Sequence, residues 1–98
     1  MTLTEYLQIC FVEELGEVAK AVSKCTRFGP NDINPITGVV NIVKVGEEFC
    51  EVIALMEMLD ELGFKIETSH DLVDAKKQRL GTFINYSKSL GIIDDSNY

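Results

Sequence analysis

The stretch Thr2-Leu-Thr-Glu-Tyr-Leu-Gln-Ile-Cys-Phe-Val-Glu-Glu-Leu-Gly-Glu-Val-Ala-Lys-Ala-Val-Ser-Lys-Cys25 decides the fold. Its apolar residues Leu3, Leu7, Cys10, Phe11, Leu15, Val18 and Val22 recur at intervals of three and four. That is the spacing of one helical face. Thr2 with Glu5 three residues on has the form of a capping box, which satisfies the first free amides of a helix. The next segment, Arg27-Phe-Gly-Pro-Asn-Asp-Ile-Asn-Pro35, crowds Gly, Pro, Asn and Asp together and reads as a loop. Helical spacing resumes at Thr37 or Asn41 and runs through Val45, Phe49, Val52, Ile53, Met56, Leu59 and Leu62 to a stop at Gly63. Gly46 inside this helix costs about 1 kcal/mol against Ala, which leaves the part before it open as a separate turn. A third helix starts at Thr68 or Ser69, places Asp71 in its first turn, uses Leu72, Leu80, Phe83 and Leu90, and ends at Gly91. Ile92 to Tyr98 reads as a short acidic tail. No alternating strand pattern occurs, so the expected class is all-α with three main helices in a single domain, 1–98.

A chain of 98 residues has room for one core. Its 46% hydrophobic and 26% charged residues are those of a folded globule and not of a disordered tail. The formal net charge of -7 opposes a nonspecific grip on a phosphate backbone, so no nucleic-acid partner is expected. The longest plainly apolar run, Val52 to Met56, falls far short of the roughly 20 residues that span a bilayer, and no membrane association is expected. Met1 to Glu5 lacks the basic and apolar regions of a secretory signal, which points to a soluble cytoplasmic protein. Cys10, Cys25 and Cys50 are odd in number and form no C-x-x-C pair, so free thiols are expected, with neither a disulfide framework nor a thiolate zinc site. His70 is the single histidine, which closes off sites built on paired imidazoles.

The informative residues are acidic. At about 100° per residue, the apolar arc of the first helix runs from Leu3 and Ala21 at roughly 300° to Phe11 at roughly 20°, and Glu14 falls inside it at roughly 320°. Glu17 lies at the edge of the arc beside Cys10. In the second helix Glu48, near roughly 120°, falls between Leu55 and Leu59, with Glu51 at the edge beside Leu62. Carboxylates taken out of water on facing helices repel one another and oppose docking. Basic partners, protonation or a hard cation can neutralise them. Few Lys or Arg occupy these faces, and protonating both pairs near neutral pH requires large shifts. A divalent cation is the remaining candidate. The oxygen-only set Glu14, Glu17, Glu48 and Glu51 suits Mg²⁺, with Mn²⁺ as a substitute. The plain alternative is a solvated acidic face.

With these residues the sequence resembles the MazG-like all-α nucleoside triphosphate pyrophosphohydrolases, particularly the short single-domain type of phages and bacteria. The resemblance rests on Glu13-Glu-Leu-Gly-Glu17-Val-Ala and Glu47-Glu-Phe-Cys-Glu51-Val, with Lys24-x-x-Arg27-Phe-Gly29, Pro35, Gly38 and Asn41 between them. It covers about residues 3 to 62 well and the third helix loosely. It implies that Glu14 and Glu17, then Glu48 and Glu51, hold Mg²⁺, with Glu51 standing where Asp is usual and lengthening that arm by one methylene. Glu13 and Glu47 match the leading acidic positions, with a role in orienting water or supporting the ligands. The implied reaction cleaves a nucleoside triphosphate between its α and β phosphates, giving nucleoside monophosphate and pyrophosphate. The implied location is the cytoplasm, that of the host if the chain is phage-encoded.

Leaving-group charge calls for cationic donors, and the candidates are Lys24, Arg27, Lys76, Lys77 and Arg79. Each has a plainer reading. Lys24 and Arg27 also complement the carboxyl end of the first helix, and Lys76, Lys77 and Arg79 also fit an exposed helix face. Asn41 either recognises base or sugar or caps the second helix. Phe28 and Tyr86 either stack on a base or pack in the core. The apolar faces of the first two helices look wider than one partner covers, so a bundle completed by dimerisation or tetramerisation is expected. Two other functions stay open: a catalytically silent helical regulatory or interaction protein, and a related enzyme acting on a phosphoribosyl nucleotide or an alarmone.

Overall fold

The computed structural model describes residues 1–94. Three helices follow in order, α1 (Leu3–Phe28), α2 (Asn41–Glu61) and α3 (His70–Ser89), and among the described residues there is no strand beyond an isolated bridge between Ile33 and Val40. The fold is all-α. The chain divides into two compact units, Met1–Ile66 with α1 and α2, and a second beginning at Glu67 that contains α3. Of the acidic tail read from Ile92 onward, residues 95–98 lie outside the described residues.

The capping box forms at the head of α1. The Glu5 amide donates to Thr2 Oγ1 at 3.1 Å and the Thr2 amide donates to Glu5 Oε1 at 3.2 Å. At the other end α1 runs through Arg27 and Phe28, residues read from the sequence as loop, and stops at Gly29. Only Gly29 and Pro30 carry the breaking signal.

α2 begins at Asn41, not Thr37, and continues without interruption across Gly46. Its N-cap, Val40, offers no side-chain acceptor. The loop supplies acceptors instead. The Asn41 amide donates to Asp32 O at 2.9 Å and the Ile42 amide to Pro30 O at 2.9 Å, so two orphan donors of the helix end on loop carbonyls. The loop is itself braced by Asn34, whose Oδ1 accepts from the amides of Ile36 at 2.9 Å and Thr37 at 3.4 Å. α2 ends at a Schellman motif: Phe64 N–H donates to Leu59 O and Gly63 N–H to Asp60 O, both at 3.0 Å, with Gly63 at φ 91°.

Packing in the first unit is narrow. Leu7, Val18 and Ala21 of α1 and Val52 and Leu59 of α2 are the buried apolar side chains, and Leu59 alone is wholly enclosed. Leu62, expected on the same face, is exposed because it has passed into the helix cap. In the second unit Ser69 caps α3, its Oγ accepting from the Leu72 amide at 3.4 Å. α3 buries none of its residues, so Leu72, Leu80, Phe83 and Leu90 form an exposed apolar series.

Candidate metal centre

Glu14 sits near the middle of α1, and Glu48 and Glu51 occupy successive turns of α2. Because α1 packs on α2, the three converge: one oxygen from each lies within 4.8 Å of the others. Glu48 is 5% exposed, Glu14 half-buried and Glu51 exposed. Two buried oxygens, Glu14 Oε2 and Glu48 Oε2, have no hydrogen-bond partner. A buried carboxylate oxygen without a donor is costly. The donor set is carboxylate oxygen alone, which suits a hard divalent cation, and Glu14, Glu48 and Glu51 would be the residues to hold it.

Glu17 stands outside this group. Its Oε2 lies 3.8 Å from Lys20 Nζ and its side chain is half exposed, in keeping with its position at the edge of the apolar arc. Glu13 and Glu47 are exposed, and Glu47 lies 3.9 Å from Lys44.

Lys44 is the residue that sequence reasoning missed. Its ammonium pairs with Glu48 Oε1 at 3.0 Å, a contact readable in retrospect from the i,i+4 spacing. A basic partner therefore does reach the enclosed acid. This ion pair lowers the Glu48 carboxyl below the usual range and raises the Lys44 amine. Glu51 moves the other way. The nearby carboxylates of Glu14 first, then Glu48, favour its protonated form and repel its charge, pushing it up to about 7. One carboxylate is thus paired and another half-protonated near neutrality, so two of the three means of neutralisation are already in use.

A pH dependence follows. Glu51 keeps its proton in the folded chain above pH 4.5, where the unfolded chain releases it, so the folded state binds more protons from there up to about 7. Its stabilising effect is present below that window and is lost as pH rises through it. Glu48, with a lowered value, works in the opposite sense, its contribution fading only as pH falls toward and below 4.5. In chelator, the thermal midpoint is expected to fall from pH 5 to pH 8 and to fall less in Glu51→Gln. An identical slope in both chains would show that Glu51 is not the group responsible.

Around the cluster, Glu17, Lys20, Lys24, Asn34, Lys44 and Glu48 help to line a small cavity of about 80 Å³. Asn41, buried, also borders it. Its Nδ2 donates to Gly29 O at 3.0 Å, so this side chain ties α2 to the end of α1 and does not cap its own helix. Arg27 stacks on Phe28, its guanidinium carbon 4.8 Å from the ring centre. Lys76, Lys77 and Arg79 are exposed on α3, in the second unit. Cys10, Cys25 and Cys50 are free thiols. No helix among the described residues is long and apolar enough to cross a membrane. Compared with known proteins, the chain matches no family model, no curated protein and no solved structure.

Proposed function

We propose that this chain is a divalent-cation-dependent nucleoside triphosphate pyrophosphohydrolase of MazG-like type. The observation that carries the reading is the enclosed Glu48 carboxylate, with one oxygen unpartnered, beside Glu14 and Glu51. An all-oxygen donor set of this kind fits Mg²⁺ or Mn²⁺. Glu14, Glu48 and Glu51 would hold the cation, with Glu17 one turn along α1 as a further ligand reached by rotamer change. When bound, such an ion polarises a phosphoryl oxygen and lowers the pKa of its water. Lys20, Lys24 and Lys44 face the same small cavity and supply positive charge for the phosphate chain. Lys44, half exposed, neutralises Glu48 in the cation-free chain and is free to turn toward an arriving anion. Glu13 and Glu47 are proposed to orient water, and Arg27 and Asn41 to border the substrate. Water adds across the α–β anhydride, and nucleoside monophosphate and pyrophosphate leave.

The test is a panel of standard, deoxy and damaged nucleotides, a phosphoribosyl nucleotide and an alarmone, each with Mg²⁺ or Mn²⁺, with products resolved by chromatography. Pyrophosphate from at least one triphosphate is expected. Cleavage confined to the phosphoribosyl nucleotide or alarmone would shift the substrate class. One observation favours a silent interaction module instead: Lys44 already neutralises Glu48 from within. Its signature is a thermal midpoint unmoved by Mg²⁺ and no product from any nucleotide.

Self-association is part of the proposal. Tyr6, Ile9 and Val12 on α1 and Phe49 and Ile53 on α2 are 47–67% exposed, more apolar surface than a small lone unit ordinarily leaves in water. Sedimentation equilibrium is expected to give a dimer or tetramer. A monomer at micromolar concentration would contradict this.

A further inference from the structure

Between the end of α1 and the loop over residues 29–40 lies a second cavity, of about 480 Å³, within the range of small-ligand sites. Its walls differ from those of the small cavity beside the cluster. Phe28, Pro35 and Ile36 make it largely apolar, Lys24 and Arg27 edge it with positive charge, and Asp32 adds one carboxylate. Phe28 and Ile36 are 55% and 92% exposed, so neither is occupied in holding the core together. The two cavities adjoin, sharing Lys24, Asn34 and Asn41 as common wall. Charge is concentrated here: four of the five Lys and Arg residues of Met1–Ile66 line one or both cavities, in a unit where acidic residues number eleven. An anion that also carries a flat apolar group fits this juxtaposition. The phosphate part belongs with the lysines and carboxylates, and the ring belongs against Phe28, where the stacked Arg27 guanidinium already provides a planar partner.

We infer that the cavity bounded by Phe28, Pro35 and Ile36 is the nucleobase subsite, holding the purine or pyrimidine ring of a nucleoside polyphosphate while Lys24 bridges ring and phosphates. The inference rests on the reading of the carboxylate cluster as a polyphosphate site. Asn34 tunes it: with Oδ1 committed to the loop amides, its NH₂ group is left to donate toward a ring or sugar acceptor.

The experiment is calorimetric titration of the full chain in Mg²⁺ with α,β-methylene triphosphates of four bases and, separately, with inorganic tripolyphosphate, which has no ring. At least one nucleotide is expected to bind tenfold or more tightly than tripolyphosphate. Phe28→Ala and Ile36→Ser, at exposed positions, are each expected to cut that advantage at least fivefold, with tripolyphosphate affinity and helical circular dichroism unchanged. Nucleotides no tighter than tripolyphosphate, variants that keep the full advantage, or variants that lose both ligands equally would overturn the subsite alone. A wild-type chain that binds neither ligand would overturn the polyphosphate reading and the subsite with it.

Discussion

Glu48→Gln is expected to lower pyrophosphate release by at least about 100-fold while leaving the helical circular dichroism intact. Loss of an outer contact to a metal ligand ordinarily costs about 10- to 100-fold, and Glu48 is a proposed ligand itself. It is also the most enclosed of the three acids. Gln keeps its volume but removes the charge that pairs with Lys44 and that the fold favours in its ionised form. The thermal midpoint in chelator is therefore expected to fall slightly, and Mg²⁺ is expected not to raise it. Lys44 loses its partner at little cost, since its side chain is 46% exposed and water replaces the contact. A coupled pyrophosphate assay and thermal melting measure both outcomes. Full turnover in Glu48→Gln would remove this residue from the ligand set.

Leu59→Ala is expected to have the largest effect on stability. Leu59 is the one side chain wholly withdrawn from solvent, in a unit whose buried apolar set numbers five. Truncating such a residue costs about 2–5 kcal/mol, against a total of about 5–15 kcal/mol for an ordinary domain. Its carbonyl also receives the Phe64 amide that closes α2, so the cavity opens beside the helix cap. Urea denaturation is expected to show a sharply lower midpoint for Leu59→Ala. For Ile36→Ala, at a 92% exposed loop position, the change is expected to stay within about 0.5 kcal/mol. Equal losses at both sites would contradict the burial pattern.

The fold was legible because its signals are local. Apolar spacing marks α1 and α2, Thr2 with Glu5 and Ser69 mark starts, and Gly63 and Gly91 mark ends through positive φ values of 91° and 74°. The start of α2 was legible only to within four residues, since Val40 carries no capping side chain and its duty passes to carbonyls of the distant Pro30 and Asp32. A single sequence does not reveal such tertiary capping.

In the candidate site, the inward position of Glu14 and Glu48 followed from helical angle alone. The wheel also placed Glu17 and Glu51 alike at an edge, yet only Glu51 joins the cluster. Which edge residue turns inward depends on how the two helices are set against each other and on local rivals such as Lys20, which draws Glu17 aside. Lys44 was passed over for a similar reason. It lies outside the acidic motif, and its long flexible stem lets an exposed residue reach a buried carboxylate.

Titration of Mn²⁺ into the chelator-stripped chain, read by loss of the free-ion paramagnetic signal, tests the central claim most directly. Saturable uptake is expected in the wild type, sharply weakened in Glu14→Gln and Glu48→Gln and strengthened from pH 6 to pH 8 as Glu51 gives up its proton. Uptake that is absent in the wild type even with a triphosphate present, or that is the same in all three chains, would contradict it.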